Sequence, residues 1–234
     1  MPPVKALIFD VFGTLVDWRG SIAREAQRLL GARGITLDWP AFADAWRAQY
    51  QPAMEAVRSG RLPFSKLDRL HRRNLDTILP AFGLDHLDEA ARHELNLAWH
   101  RLDAWPDVPA GLRALRTRFL LAPCSNGNIA LMANLARHNG LHWDAILGAE
   151  VARDYKPKPA VYLAAADAFD LPPGEVMMVA AHSDDLAAAA GAGLRTGFIA
   201  RPQEFAGASG ERTAACAVDV SADDLVALAQ TLGC

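Results

Sequence analysis

The chain has 234 residues, more than one average domain of roughly 150 and fewer than two, so a core carrying a sizeable insertion fits the length. Lys and Arg number 24 against 27 Asp and Glu, a net charge of -3 with neither sign gathered into a block, which disfavours a nucleic-acid partner. Hydrophobic content of 51% against 22% charged supplies a buried core and argues against disorder.

The start, Met1-Pro2-Pro3-Val4-Lys5, lacks the charged, apolar and small-residue order of a signal peptide. Residues 4–10 then form a short apolar, partly β-branched run ending at Asp10, which reads as a buried parallel strand punctuated by Gly13. From Asp17 to Ala104 strand-like runs are missing and apolar residues recur at helical spacing, over 22–30, 42–57, 64–79 and 87–102. Further strand-like runs follow at 119–123, 176–180 and 196–199, separated by helix-like stretches rich in Ala and Leu. The pattern predicts an α/β fold, a doubly wound parallel sheet, with residues 1–16 and 105–234 as its core and 17–104 as an inserted helical cap. No apolar stretch approaches the roughly 18 residues of a membrane span. Cys124, Cys216 and Cys234 are widely separated and odd in number, which excludes a disulfide framework and a Cys-x-x-Cys site and points to a reducing cytoplasm.

In such sheets ligands bind beyond the carboxyl ends of the strands. Those positions hold Asp10 with Thr14, then Ser125 with Asn126, then His182 to Asp185. Ser125 and Asn126 stand in Cys124-Ser125-Asn126-Gly127-Asn128, where a hydroxyl and helix N-terminal amides can bind an anion, although the same string also serves as an ordinary turn and N-cap. Lys156 belongs to the loop Tyr155-Lys156-Pro157-Lys158-Pro159; a lysine beside a carboxylate holds it ionised. Arg47, in Ala45-Trp46-Arg47-Ala48-Gln49-Tyr50 of the cap, offers a permanent charge and several donors to an anion. Trp18, Trp46 and Tyr50 either line a pocket or belong to the core. Gly191-x-Gly193-x-x-x-Gly197 has the wrong spacing and context for a dinucleotide fingerprint.

The string Phe9-Asp10-Val11-Phe12-Gly13-Thr14-Leu15-Val16-Asp17 resembles the first motif of the haloacid dehalogenase superfamily. Taken with the four other motifs in order along nearly the whole chain, it most closely resembles the (S)-2-haloacid dehalogenases. The resemblance implies an aspartate nucleophile at Asp10. Superfamily phosphatases carry a second, acidic aspartate two positions on; here that position is Phe12, which transfers no proton. Halide departs as a stable anion and needs no acid. The phosphatases also place a metal-binding aspartate where this chain has Ala181, so no metal and no other cofactor is expected.

By the same resemblance Lys156 and Asp185 join Asp10 as catalytic groups, with Asp185 orienting Lys156 or activating water. Thr14, Arg47, Ser125, Asn126, Tyr162 and His182 would bind substrate or halide, with Thr14 alternatively structural. His182 falls where better-known relatives carry asparagine; it orients water, contacts halide, or is a buried hydrogen-bonded histidine. Lys158 and Asp184 are expected to face solvent. The implied reaction converts a short 2-haloacid, such as chloroacetate, to a 2-hydroxy acid through an aspartyl ester. A phosphatase of the superfamily and a non-catalytic binding protein of the same fold are the alternatives. A homodimer is expected by analogy.

Overall fold

The computed structural model describes residues 3–234; Met1 and Pro2, which open both the core segment and the start compared with a signal peptide, lie outside it. Strand β1 (Ala6–Phe9) leads to β2 (Val16–Asp17), after which the chain turns helical: α1 (Trp18–Gly31), α2 (Trp39–Ala48), α3 (Tyr50–Arg58), α4 (Leu67–Ile78) and α5 (Glu89–Asn96). It returns through β3 (Asp103–Ala104), which pairs antiparallel with β2, Val16 opposite Ala104 and Asp17 opposite Asp103. Both chain crossings thus run side by side. Asp17, Asp38 and Asp88 accept from backbone N–H groups of the first turns of α1, α2 and α5, satisfying donors that a helix leaves unpaired.

The 42–57 stretch is two helices rather than one. Pro52 lacks an N–H and its ring would strike the carbonyl four residues back, so the helix breaks at Gln49 and restarts with Pro52 in the first turn of α3. The 64–79 helix begins only at Leu67, because Lys66 is extended, and the 87–102 stretch tightens into a 3-10 turn over Leu97–Arg101.

The remainder alternates α6 (Val108–Leu115), β4 (Leu120–Ser125), α7 (Ile129–Asn139), β5 (Leu147–Gly148), the one-turn α8 (Ala149–Ala152), α9 (Pro159–Asp167), β6 (Val176–Ala180), α10 (Ser183–Gly191), β7 (Arg195–Ile199), β8 (Val220–Ala222) and α11 (Leu225–Thr231). Six strands form one parallel sheet in the order β5-β4-β1-β6-β7-β8. The edge strands β5 and β8 were not expected from sequence; each is two or three residues long, too short to show a pattern. In β1, Leu7 and Phe9 enter one apolar cluster while Ala6 and Ile8 enter the other, so the central strand is buried on both faces.

Phe9 is paired with Pro123 on one side and Val179 on the other, and β4 and β6 run on only to Ser125 and Ala180. Asp10, Ser125 and the turn beginning at Ala181 therefore converge at the point where the strand order reverses. The helical insertion lies over this end of the sheet, with Arg58 Nη1 donating to the Lys156 carbonyl at 2.8 Å and Tyr155 Oη donating to the Ser65 carbonyl at 2.6 Å. A crevice at the carboxyl end of the sheet is thereby roofed by helices.

Candidate active site

Asp10 is 7% exposed and both its carboxylate oxygens have side-chain partners. Lys156 Nζ donates to Oδ1 at 2.8 Å, Thr14 Oγ1 donates to Oδ2 at 2.8 Å, and His182 Nδ1 lies 3.2 Å from Oδ2. Burial alone would raise the Asp10 pKa, but the Lys156 charge and the His182 hydrogen bond outweigh it and hold the group well below the usual carboxylate range. Asp10 is therefore ionised at neutral pH and desolvated at the same time.

Lys156 also contacts the Asp185 carboxylate, so its ammonium lies between two acids and stays charged. Its backbone is fixed by an N–H donated to Asn126 Oδ1 at 2.9 Å. Asp185, at the start of α10, accepts from Tyr162 Oη at 2.5 Å. Its pKa is raised, by burial first and by the neighbouring Asp10 charge, against the opposing pull of Lys156. The two carboxylates thus part company: one is held ionised, the other is made easier to protonate.

A cavity of about 750 Å³ opens over Asp10. Of the residues singled out in the sequence, Asp10, Arg47, Asn126, Lys156, His182 and Asp185 line it, together with Tyr50 and Phe12. Arg47 Nη1 is buried there without a hydrogen-bond partner. Phe12 meets the rings of Tyr50, His71 and Trp99 edge-on, so the position that would carry an acid in a phosphatase is an aromatic wall.

Thr14, Ser125 and Tyr162 stand behind the wall rather than on it. The Thr14 hydroxyl bridges Asp10 and the Ala181 N–H, Ser125 Oγ accepts from Gly127 N at 3.0 Å, and Tyr162 holds Asp185. Trp46 is core, donating to the His71 carbonyl at 2.9 Å. Trp18 is also buried and donates to Glu204 Oε1 at 3.1 Å. Asp184 is exposed at the cavity rim, and Lys158 reaches back to the Arg58 carbonyl.

Two acids escaped the sequence reading. Glu204 is 1% exposed and lies 2.8 Å from His182 Nε2; Glu211 accepts from the Ser183 N–H at 2.9 Å and from its hydroxyl, at the start of α10. Both come from the loop after β7, whose end at Ile199 is a strand terminus like the other three, and the same rule applied there would have reached Glu204. Arg201 pins this loop, donating to the Thr14 carbonyl at 2.7 Å and to both Asp107 carboxylate oxygens at 2.9 and 2.7 Å. Among the described residues no group of three or more His, Cys, Asp or Glu side chains is placed to hold a metal ion.

A nucleophile-ready aspartate at the end of the central strand, a lysine beside it and a helical roof define a hydrolase of the α/β class with a cap. Residues 4–193 match the model of the haloacid dehalogenase-like hydrolases, and the chain belongs to that family. It is 30% identical over 212 residues to (S)-2-haloacid dehalogenase 1 of Pseudomonas sp. (strain CBS-3), covering 88% of this chain and 89% of that one. Among solved structures, an L-2-haloacid dehalogenase superposes with a TM-score of 0.93 at 48% identity, covering 98% of this chain and all of the other. The L-2-haloacid dehalogenase of Xanthobacter autotrophicus, with chloropropionic acid covalently bound, superposes with a TM-score of 0.82 at 25% identity over 98% of each chain. These relatives are hydrolases acting on carbon–halide bonds.

Proposed function

We propose that the protein hydrolyses short (S)-2-haloalkanoic acids to 2-hydroxy acids through an ester on Asp10. The observation that carries this reading is the pairing of an ionised, desolvated Asp10 with the unpartnered guanidinium of Arg47 across one cavity. Asp10 attacks the substrate α carbon, the carbon–halogen bond breaks, and the departing anion is received by Arg47, whose donors meet charge as it develops. Asn126 and Lys156 add further positive dipole and charge, so an anionic substrate enters a chain of net charge -3. Asp185, with its raised affinity for a proton, then activates the water that cleaves the ester.

Dehalogenation is favoured over phosphate transfer because position 12 is phenylalanine and position 181 is alanine. An alkoxide leaving group would find no acid at Phe12, and the place between Asp10 and Asp185 is taken by the Lys156 ammonium. Residues 17–104 act as the cap that supplies Arg47. No described helix is long and apolar enough to cross a membrane, and all three cysteines are free, which suits a reducing cytoplasm.

The test is a single turnover of 2-chloropropionate by excess enzyme in oxygen-18 water, followed by mass analysis of the Asp10 peptide. Label in Asp10 is expected. Label found only in the product would mean direct displacement by water. Parallel assays of halide release and of p-nitrophenyl phosphate cleavage, with chelator and with magnesium, separate the two chemistries; magnesium-dependent phosphate release without halide release would overturn the reading.

A further inference from the structure

Both ring nitrogens of His182 face carboxylates, Nδ1 at 3.2 Å from Asp10 Oδ2 and Nε2 at 2.8 Å from Glu204 Oε2. A neutral imidazole has one N–H and would turn a lone pair toward one of these anions; only the imidazolium donates to both. Thr14 fills the other side of Oδ2. Its oxygen accepts from the Ala181 N–H at 3.0 Å, which leaves its proton for Asp10 at 2.8 Å. Oδ2 is therefore held by two donors, whereas Lys156 Nζ alone donates to Oδ1. A carboxylate oxygen has two in-plane lone pairs, so Oδ1 keeps one for attack and Oδ2 keeps none.

We propose that Thr14 and His182 form the oxyanion hole for cleavage of the Asp10 ester, and that Glu204 is the positioning residue that keeps His182 protonated and aimed at Oδ2. The proposal rests on the aspartyl-ester reading above. Oδ1 forms the bond to the α carbon, and Oδ2 becomes the ester carbonyl oxygen. Water adds to Cγ of Asp10 and gives one proton to Asp185, while the carbonyl π pair moves onto Oδ2 between the two donors. The pair returns, the Cγ–Oδ1 bond breaks, and the departing alkoxide takes the proton from Asp185 to become the 2-hydroxy acid. The carboxyl left on Asp10 carries the water oxygen and loses its remaining proton to solvent. Removing one such donor from an acyl-transfer site typically slows the step by about 10²-fold to 10³-fold.

The charged groups around His182 are Asp10 from the end of β1, Glu204 and Glu211 from the loop after β7, Asp184 and Asp185 on α10, Lys156 from the loop before α9, and Arg47 on α2. Burial disfavours the imidazolium, but the hydrogen bonds it donates to Asp10 and Glu204 and the charges of those two carboxylates outweigh it and push His182 up to about 10. In the ester the Asp10 charge is gone and Glu204 carries most of the support for the imidazolium, so cleavage fails as pH rises through a value below that of the free enzyme and the Nδ1 donor is lost. Glu204 is buried between Trp18 and His182, and Glu204→Gln keeps its shape while removing its charge.

The experiment follows single turnovers of 2-chloropropionate from pH 7 to 11, reading chloride release for ester formation and 2-hydroxy acid release for ester cleavage. Wild type is expected to show an alkaline limb in cleavage, below the His182 value of the free enzyme because the ester removes the Asp10 charge. Glu204→Gln should move that limb to lower pH by about one unit or more, with the His182 titration followed by nitrogen-15 NMR moving with it. His182→Asn, which offers a neutral donor, should slow cleavage about 10-fold or more and abolish the limb. A limb unmoved in Glu204→Gln, retained in His182→Asn, or a loss confined to chloride release overturns the proposal. A wild type that releases hydroxy acid with no bound ester overturns instead the reading beneath it.

Discussion

The guanidinium carbon of Arg47 lies 3.9 Å from the centroid of the Tyr50 ring, and its buried Nη1 has no hydrogen-bond partner. An aromatic face holds the cation by its quadrupole without occupying its in-plane donors, so the fork is positioned and left free. Both residues flank the break at Gln49 that Pro52 forces, and a continuous helix would not set them on successive elements.

Replacing Arg47 by lysine keeps the charge but loses the planar fork and the stacking. The kcat/KM for 2-chloropropionate should fall by about 10²-fold or more, with thermal stability close to wild type. Tyr50→Leu should have a smaller effect in the same direction. Steady-state halide release checks both, and a fully active Arg47→Lys would move the halide site elsewhere.

Asp185 must be ionised to accept a proton from water, so ester cleavage holds above its pKa and is lost as pH falls through it. Tyr162 donates to Asp185 and favours the carboxylate. Tyr162→Phe should therefore raise the Asp185 pKa further and move the acid limb of cleavage to higher pH by up to about one unit. Asp185→Asn should stop after one halide per enzyme and accumulate the ester, seen by intact-protein mass. An acid limb that does not move in Tyr162→Phe would separate Asp185 from the proton transfer.

Gly13 has φ +87°, and a Cβ added there would lie 2.0 Å from Glu204 Oε1. Gly34 has a similar φ of +77° with nothing within 4 Å of such a Cβ. Gly34→Ala thus reports the backbone penalty alone, about 1 kcal/mol, while Gly13→Ala adds displacement of a locked carboxylate and should lose about 2–3 kcal/mol. Urea denaturation compares them directly. Equal losses would mean that Glu204 moves freely.

Strands β1, β4 and β6 were legible in the sequence because each is largely buried and reads as a mostly apolar run, and β7 was legible from its buried end at Gly197-Phe198-Ile199. Asp10, Asn126, Lys156, His182 and Asp185 were legible because each stands in a short string at a strand end or in the loop beside one. The support behind them was less so. That Thr14 turns its proton toward Asp10 depends on the Ala181 N–H, a partner 167 positions away. Glu204 and Glu211 come from a loop with no periodic pattern, carried to the site by the Arg201–Asp107 pair. The break at Gln49 was readable from Pro52, since a proline within a helical pattern restarts it.

His71 is 1% exposed, neither ring nitrogen has a partner, and the ring stacks on Trp99 with centroids 4.1 Å apart. Burial pushes its pKa down from 6.5 to about 3, so the folded protein keeps it neutral while the unfolded chain binds a proton below about 6.5. Stability from this group is complete above that pH and is lost progressively as pH falls toward about 3, at up to about 1.4 kcal/mol per pH unit. His71→Leu removes the titrating group together with its two unpaired ring nitrogens. The unfolding free energy plotted from pH 6 to pH 4 should then be shallower than wild type by the equivalent of about one proton, whatever the offset at pH 7 from lost stacking. Urea midpoints at each pH give the two slopes, and identical slopes would show that the folded protein protonates His71 as readily as the unfolded chain does.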